Sequence, residues 1–89
     1  MNTPAQLQAL IDEAHKNAVP RLRDCEAWAD APATCPVSRF IAREAGETAS
    51  LLRALLATSD YDGIRFYWVL AQGQHGVLAS ARRQLLGLA

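Results

Sequence analysis

The sequence predicts an all-α fold, specifically a small antiparallel three-helix bundle. Strong helix formers dominate the 89 residues, which include 17 Ala and 12 Leu, whereas β-branched residues are sparse. Apolar residues recur with helical spacing over three long segments. Residues 30–34 and 58–63 separate these segments and are rich in turn-forming and helix-capping residues. The whole chain, residues 1–89, is therefore expected to form a single helical domain.

The first helix is predicted to begin at Pro4, where Thr3 can act as the N-cap and Gln6 completes a capping box. Because Pro20 removes a backbone donor and its ring clashes with the preceding turn, the helix must bend or break there. We predict one helix that is kinked at Pro20, since the apolar stripe keeps its phase across that residue. The stripe consists of Leu7, Leu10, Ile11, Ala14, Ala18, Leu22, Cys25, Trp28 and Ala29.

The second helix is predicted over residues 36–57, with Pro36 in its first turn. Its main seam is formed by side chains spaced four, four, three, four and three residues apart. The seam consists of Val37, Ile41, Ala45, Thr48, Leu52 and Leu55. The opposite face is expected to be solvated and carries Arg39, Arg43, Gly46, Ser50 and Arg53.

The third helix is predicted over residues 62–86 and forms an elongated antiparallel hairpin with the second, because a helix of about 25 residues is roughly 37 Å long. A competing interpretation makes residues 64–70 a β-strand, since most of their apolar side chains favour strands. Gly73 also leaves open a kink or a helix break. We favour the helix because a lone strand would have no partner and the apolar spacing is helical. The repeating positions are Ile64, Trp68, Ala71, His75, Leu78, Arg82 and Leu85.

The charge balance and the apolar runs exclude several classes of partner. Nine basic residues match nine acidic ones, so no uniform positive field favours nucleic acid. The longest wholly apolar run is residues 66–71, far shorter than the roughly 20 residues that span a bilayer. We therefore expect no nucleic-acid and no membrane partner.

With two cysteines and no secretory pattern, we expect a cytoplasmic protein with reduced thiols. Eight Arg to one Lys, with many Ala, is typical of GC-rich bacterial genes.

The most informative segment consists of five consecutive apolar or aromatic residues. Successive residues of a helix are about 100° apart, so five of them point in all directions around it. They contribute to an intramolecular core, or they form an interface with the same protein or with another. Since zero net charge opposes self-association only weakly, we predict a homodimer at micromolar concentration. The candidate partner-binding residues are Phe66, Tyr67, Trp68, Val69 and Leu70.

A polar cluster is predicted between the second and third helices. Glu44 and Glu47 lie one turn apart, and the antiparallel hairpin would bring them level with His75, with Arg82 two turns further on. We interpret this cluster as structural or interfacial rather than as a general acid and base.

The two cysteines have different predicted roles. Cys35 precedes the second helix, where the helix dipole favours a thiolate, so it is a candidate reactive thiol as well as a plain helix start. Cys25 falls on the apolar stripe of the first helix and is expected to be a small buried side chain.

The sequence favours a binding role over catalysis. It shows no Ser/His/Asp set, no paired metal ligands and no glycine-rich phosphate cradle, so we expect no catalytic residues, no metal and no cofactor. A short helical chain with an excess apolar face is typical of adaptors, chaperones and inhibitors that bind another protein or themselves. The alternative function is a small-ligand or redox sensor that uses Cys35 and the aromatic cluster.

Overall fold

The computed structural model describes residues 2–72 of the chain, and α-helices are the only regular secondary structure within this range. It contains α1 (Pro4–Asp30), α2 (Pro36–Leu56) and α3 (Tyr61–Ala71), each in contact with the other two. The all-α three-helix class is therefore confirmed, and the β-strand alternative for residues 64–70 is wrong. No helix within residues 2–72 combines the length and the apolar character needed to cross a bilayer.

Within the described residues the third helix ends just before Gly73, the break that the sequence left open. α3 has 11 residues and ends at Ala71, with Gln72 as its C-cap. Gly73 follows, and glycine is enriched just after helix ends. The described part of α3 is therefore about half as long as α2, which has 21 residues. Residues 2–72 do not form the elongated hairpin that the sequence predicts. The remaining part of the predicted third helix, residues 73–86, lies outside the described residues.

α1 has the predicted start and is a single helix. The Thr3 side-chain oxygen accepts a hydrogen bond from the Gln6 N–H at 3.2 Å, and the Thr3 N–H donates to Gln6 Oε1 at 2.8 Å. This capping box satisfies two donors that a helix start otherwise leaves unpaired. The helix then runs unbroken through Pro20 to Asp30, as the unchanged phase of its apolar stripe predicts.

The core follows seams that repeat every seven residues, as in a coiled coil. The buried residues of α1 lie seven apart at Ile11, Ala18 and Cys25. Those of α2 are Ala45, Thr48, Ala49, Leu52 and Leu55. Those of α3 are Ile64 and Ala71, also seven apart. The seams predicted for the middle of α1 and for most of α2 are thus confirmed.

α1 and α2 are antiparallel. His15 lies beside Thr58, whereas Ala29, further along α1, lies beside Gly46, earlier in the chain than Thr58. A Cβ at position 46 would be 3.9 Å from the Ala29 Cβ, which is ordinary packing distance. The expectation that Gly46 faces solvent is therefore wrong, because it lies where α2 packs against α1.

Two apolar residues at the far end of the α1–α2 pair are exposed, contrary to the predicted stripes. The exposed fractions are 41% for Trp28 and 68% for Val37. Trp28 lies near the end of α1 and Val37 in the first turn of α2, at the end of the pair that α3 does not reach. Among the described helices, these two residues therefore have only one neighbouring helix to pack against.

The turn between α2 and α3 positions the third helix. The Thr58 hydroxyl donates to the Ala54 carbonyl at 2.7 Å, and Asp60 Oδ2 accepts a hydrogen bond from the Gly63 N–H at 3.0 Å, which caps α3. A Cβ at position 63 would be only 2.8 Å from Thr58 Cγ2. Glycine at this position therefore allows α3 to begin close against the end of α2.

Candidate functional site

The aromatic segment of α3 has both core-facing and solvent-facing side chains, as the helical geometry predicts. Tyr67 and Trp68 are half-buried and pack against the core, and Leu70 is half-buried as well. Phe66 is 59% exposed and Val69 is 36% exposed. Phe66 and Val69 form the surface that we call the α3 outer face.

The exposed Phe66 ring contacts the ring of its neighbour Tyr67. Its ring lies 5.4 Å from that of Tyr67, centroid to centroid, with the planes inclined by 76°. This edge-to-face geometry is a favourable aromatic arrangement. Tyr67 packs on the core, so Phe66 has one core-packed aromatic neighbour while most of its own surface is exposed.

A groove runs between α1 and α3, with a cavity volume of about 240 Å³. Each wall is built from residues at i, i+3, i+4 and i+7, which share one side of a helix. The α1 wall consists of Leu10, Glu13, Ala14 and Asn17, and the α3 wall of Tyr61, Ile64, Arg65 and Trp68. We call this feature the α1–α3 groove.

The α1–α3 groove carries an exposed acid on one wall and an exposed base on the other. Glu13 belongs to the α1 wall and Arg65 to the α3 wall. Within residues 2–72 neither side chain forms an ion pair. Trp68 is covered on one side by the Arg21 guanidinium, whose central carbon lies 4.6 Å from the ring centroid in a cation–π contact. Leu10, on the α1 wall, is 43% exposed.

The predicted polar cluster falls only partly within the described residues. Glu44 is half-buried and its backbone carbonyl accepts a hydrogen bond from the Thr48 hydroxyl at 2.8 Å, while Glu47 is exposed. His75 and Arg82 lie outside the described residues. The pairing of the two glutamates with His75 therefore stays a prediction.

Cys35 is an exposed free thiol at the N-cap of α2. Its N–H donates to Ser38 Oγ at 3.1 Å, and its sulfur lies 3.3 Å from the same oxygen. Hydrogen bonds from the Ser38 side chain and backbone, and more weakly from the Val37 backbone, lower the pKa of the Cys35 thiol below its ordinary value. Cys25 is fully buried, as predicted.

Cys35 lies at the opposite end of α2 from the start of α3. The turn at residues 57–60 joins the C-terminal end of α2 to α3, and the 11 residues of α3 run back along only half of α2. The described structure therefore does not bring Cys35 together with the aromatic segment. Within residues 2–72 no group of three His, Cys, Asp or Glu side chains is placed to hold a metal ion.

Two features of this region were missed by the sequence analysis. The first is His15, whose Nε2 donates to the Thr58 carbonyl at 2.8 Å and so fastens α1 to the turn before α3. The second is the α1–α3 groove. A polar residue at the edge of the apolar stripe of α1, such as Glu13 one turn after Leu10, was the available signal that this edge is left uncovered.

No protein-family model matches the chain, and comparisons with curated proteins and with solved structures give no match.

Proposed function

We propose that this chain is a small non-enzymatic protein-binding module, of the adaptor, chaperone or inhibitor type, that binds through the aromatic face of α3. The observation that carries the proposal is the exposure of Phe66, a large aromatic side chain whose ring meets that of Tyr67 edge to face. Aromatic residues are enriched at protein–protein interfaces, where they bury much apolar area.

The surroundings of Phe66 have the composition of an interface. Val69 adds apolar area on the α3 outer face, and the α1–α3 groove with exposed Leu10 lies beside it. Asp62 and Arg65 provide charged residues around this apolar area. An apolar centre with a polar rim is typical of surfaces that bind other proteins.

A binding role also fits the chemistry of the α1–α3 groove. Its lining within the described residues combines apolar side chains, the polar Asn17 and Tyr61, and the opposite charges of Glu13 and Arg65. Apolar area with polar and charged groups beside it suits recognition of another protein.

Replacing Phe66 with aspartate tests the proposal. We expect Phe66→Asp to weaken association, with itself or with a captured host protein, by roughly tenfold or more, because it places a charge in the centre of the surface. Val37→Asp is the matched control, since Val37 is 68% exposed on the first turn of α2. Sedimentation equilibrium and capture from a host lysate measure the two kinds of association, and circular dichroism verifies folding. Equal behaviour of the two variants would contradict the proposal.

The lowered pKa of Cys35 favours a second candidate function, redox sensing at this thiol. A thiolate is the form that reacts with oxidants and electrophiles. Oxidation of a sensor would change its melting temperature, whereas a plain binding module would be indifferent. A Cys35→Ser variant separates the effect of this thiol from that of the buried Cys25.

The reactivity of Cys35 is expected to follow its lowered pKa. Because the deprotonated form is present at lower pH than for an ordinary thiol, the midpoint of the iodoacetamide reaction rate against pH should lie below that of a free cysteine peptide. Ser38→Ala removes the largest cause and should move the midpoint upward. Mass spectrometry of the modified peptide gives the rate, and an unchanged midpoint in Ser38→Ala would refute the assignment.

A further inference from the structure

We propose that the α1–α3 groove is the contact surface between two copies of this chain, arranged about a twofold axis. In this arrangement Glu13 of each protomer pairs with Arg65 of the partner subunit. The inference rests on the proposed protein-binding role and identifies the partner as a second copy. Its support is the shape of the groove, its charges and the exposed apolar residues beside it.

The shape of the α1–α3 groove suits a helix. Both walls present residues at i, i+3, i+4 and i+7, which is two turns or about 10 Å of helix on each side. A groove between two helices with this spacing accepts the side chains of a third helix. Its volume of about 240 Å³ is below the roughly 300–1,000 Å³ of typical small-molecule sites. The spacing of the two walls therefore suits the side chains of a helix.

The charges of the groove are complementary to those of its own copy. In a twofold interface, if residue i contacts residue j, then residue j contacts residue i. An acid on the α1 wall and a base on the α3 wall would therefore form two opposite-charge pairs, one on each side of the axis. A groove lined with one sign of charge would repel a second copy. The equal numbers of basic and acidic residues also leave no net charge to keep two chains apart.

Helices α1 and α3 supply the apolar side chains that such a dimer needs. Val69 lies one turn after Arg65, next to the groove wall, whereas Phe66 lies about 100° from Arg65 around the helix, away from the other wall residues. Val69 is exposed, as is Leu10 on the α1 wall. Packing α3 against the groove of the partner subunit would cover Leu10 and Val69 in each chain. The result is a four-helix layer made of two α1 and two α3 helices.

A charge exchange between the two walls tests this arrangement. Glu13→Arg and Arg65→Glu each turn both predicted pairs into like-charge contacts, so each variant alone should dimerise at least about tenfold more weakly than the wild type. In an equimolar mixture of the two variants, every pair regains opposite charges. The mixture should therefore form a heterodimer with close to wild-type affinity. Sedimentation equilibrium measures each association, and a fluorescent label on one variant identifies the heterodimer.

Two further variants serve as controls. Asp12→Arg makes a similar change one residue away, on the other side of α1, and Arg39→Glu reverses a charge on the exposed start of α2. Both should dimerise like the wild type, and thermal unfolding of every variant verifies that the fold is intact.

Several results would overturn the inference. The inference fails if the wild type stays monomeric at high micromolar concentration, or if either groove variant alone dimerises normally. It also fails if the control variants weaken the dimer as much as the groove variants do, or if mixing the two groove variants does not restore the affinity. None of these results decides the proposed function. If the wild type captures a host protein and the Phe66→Asp variant does not, the binding role stands, with that host protein as the partner. If Phe66→Asp weakens neither self-association nor capture of a host protein, the proposed binding role fails.

Discussion

Replacing Leu52 with alanine is expected to lower the free energy of unfolding by about 2–5 kcal/mol. Leu52 has no exposed surface and lies in the α2 seam, between Thr48 and Leu55, which are also fully buried. Removing its outer carbons loses their burial and leaves a cavity. Because its neighbours along the seam are already closely packed, the cavity can close only partly. Urea unfolding followed by circular dichroism at 222 nm measures the loss.

The adjacent leucine provides the matched control for this prediction. Leu51 is half-buried on the flank of the same helix. Leu51→Ala should cost clearly less, because part of its side chain remains in water before and after the substitution. A Leu52→Ala variant that loses under about 1 kcal/mol, or no more than Leu51→Ala, would contradict the placement of Leu52 at the centre of the core.

The middle of each seam could be predicted from sequence because its pattern is local. Residues seven apart lie on one side of a helix whatever the rest of the chain does, so Ile11, Ala18 and Cys25 were assignable to one stripe. Thr48, seven residues before Leu55, is likewise a buried member of the α2 seam. Its hydroxyl donates to the carbonyl of Glu44 one turn earlier, so a polar residue can occupy a fully buried position of the seam.

The ends of the stripes could not be predicted in the same way. A periodic pattern shows which side of a helix is apolar, but not how far along that side another helix extends. Trp28 and Val37 continue the pattern, yet within residues 2–72 they lie past the end of α3 and are exposed. Gly46, in contrast, was expected on the solvated face of α2 but packs against α1. Its position against Ala29 depends on how α1 and α2 cross, which neither helix specifies alone.

The candidate site was predictable only in part, for a related reason. The sequence identified the aromatic segment, because five large apolar residues in a row must point around the helix. It did not identify the α1–α3 groove or the contact of His15 with Thr58, which joins residues 43 positions apart. Such features depend on the spacing between helices. Small residues such as Ala18 and Ala45 are fully buried in the core, and we expect their size to set that spacing, which hydrophobicity alone does not reveal.

Replacing Ala18 with leucine tests the role of these small residues and is expected to destabilise the fold by about 1–3 kcal/mol. Ala18 has no exposed surface and lies midway between Ile11 and Cys25 in the α1 seam. The three added carbons can enter only if a neighbouring helix moves away. Alanine and leucine are both strong helix formers, so a large loss would come from packing rather than from the helix itself.

Ala27→Leu is the control for this substitution, because Ala27 belongs to the same helix but is exposed. It should change stability by no more than about 0.5 kcal/mol in either direction. Urea unfolding of the two variants under identical conditions gives the comparison. If Ala18→Leu were as stable as Ala27→Leu, there would be room for a larger side chain at position 18. The spacing of the helices around Ala18 would then not depend on a small residue there.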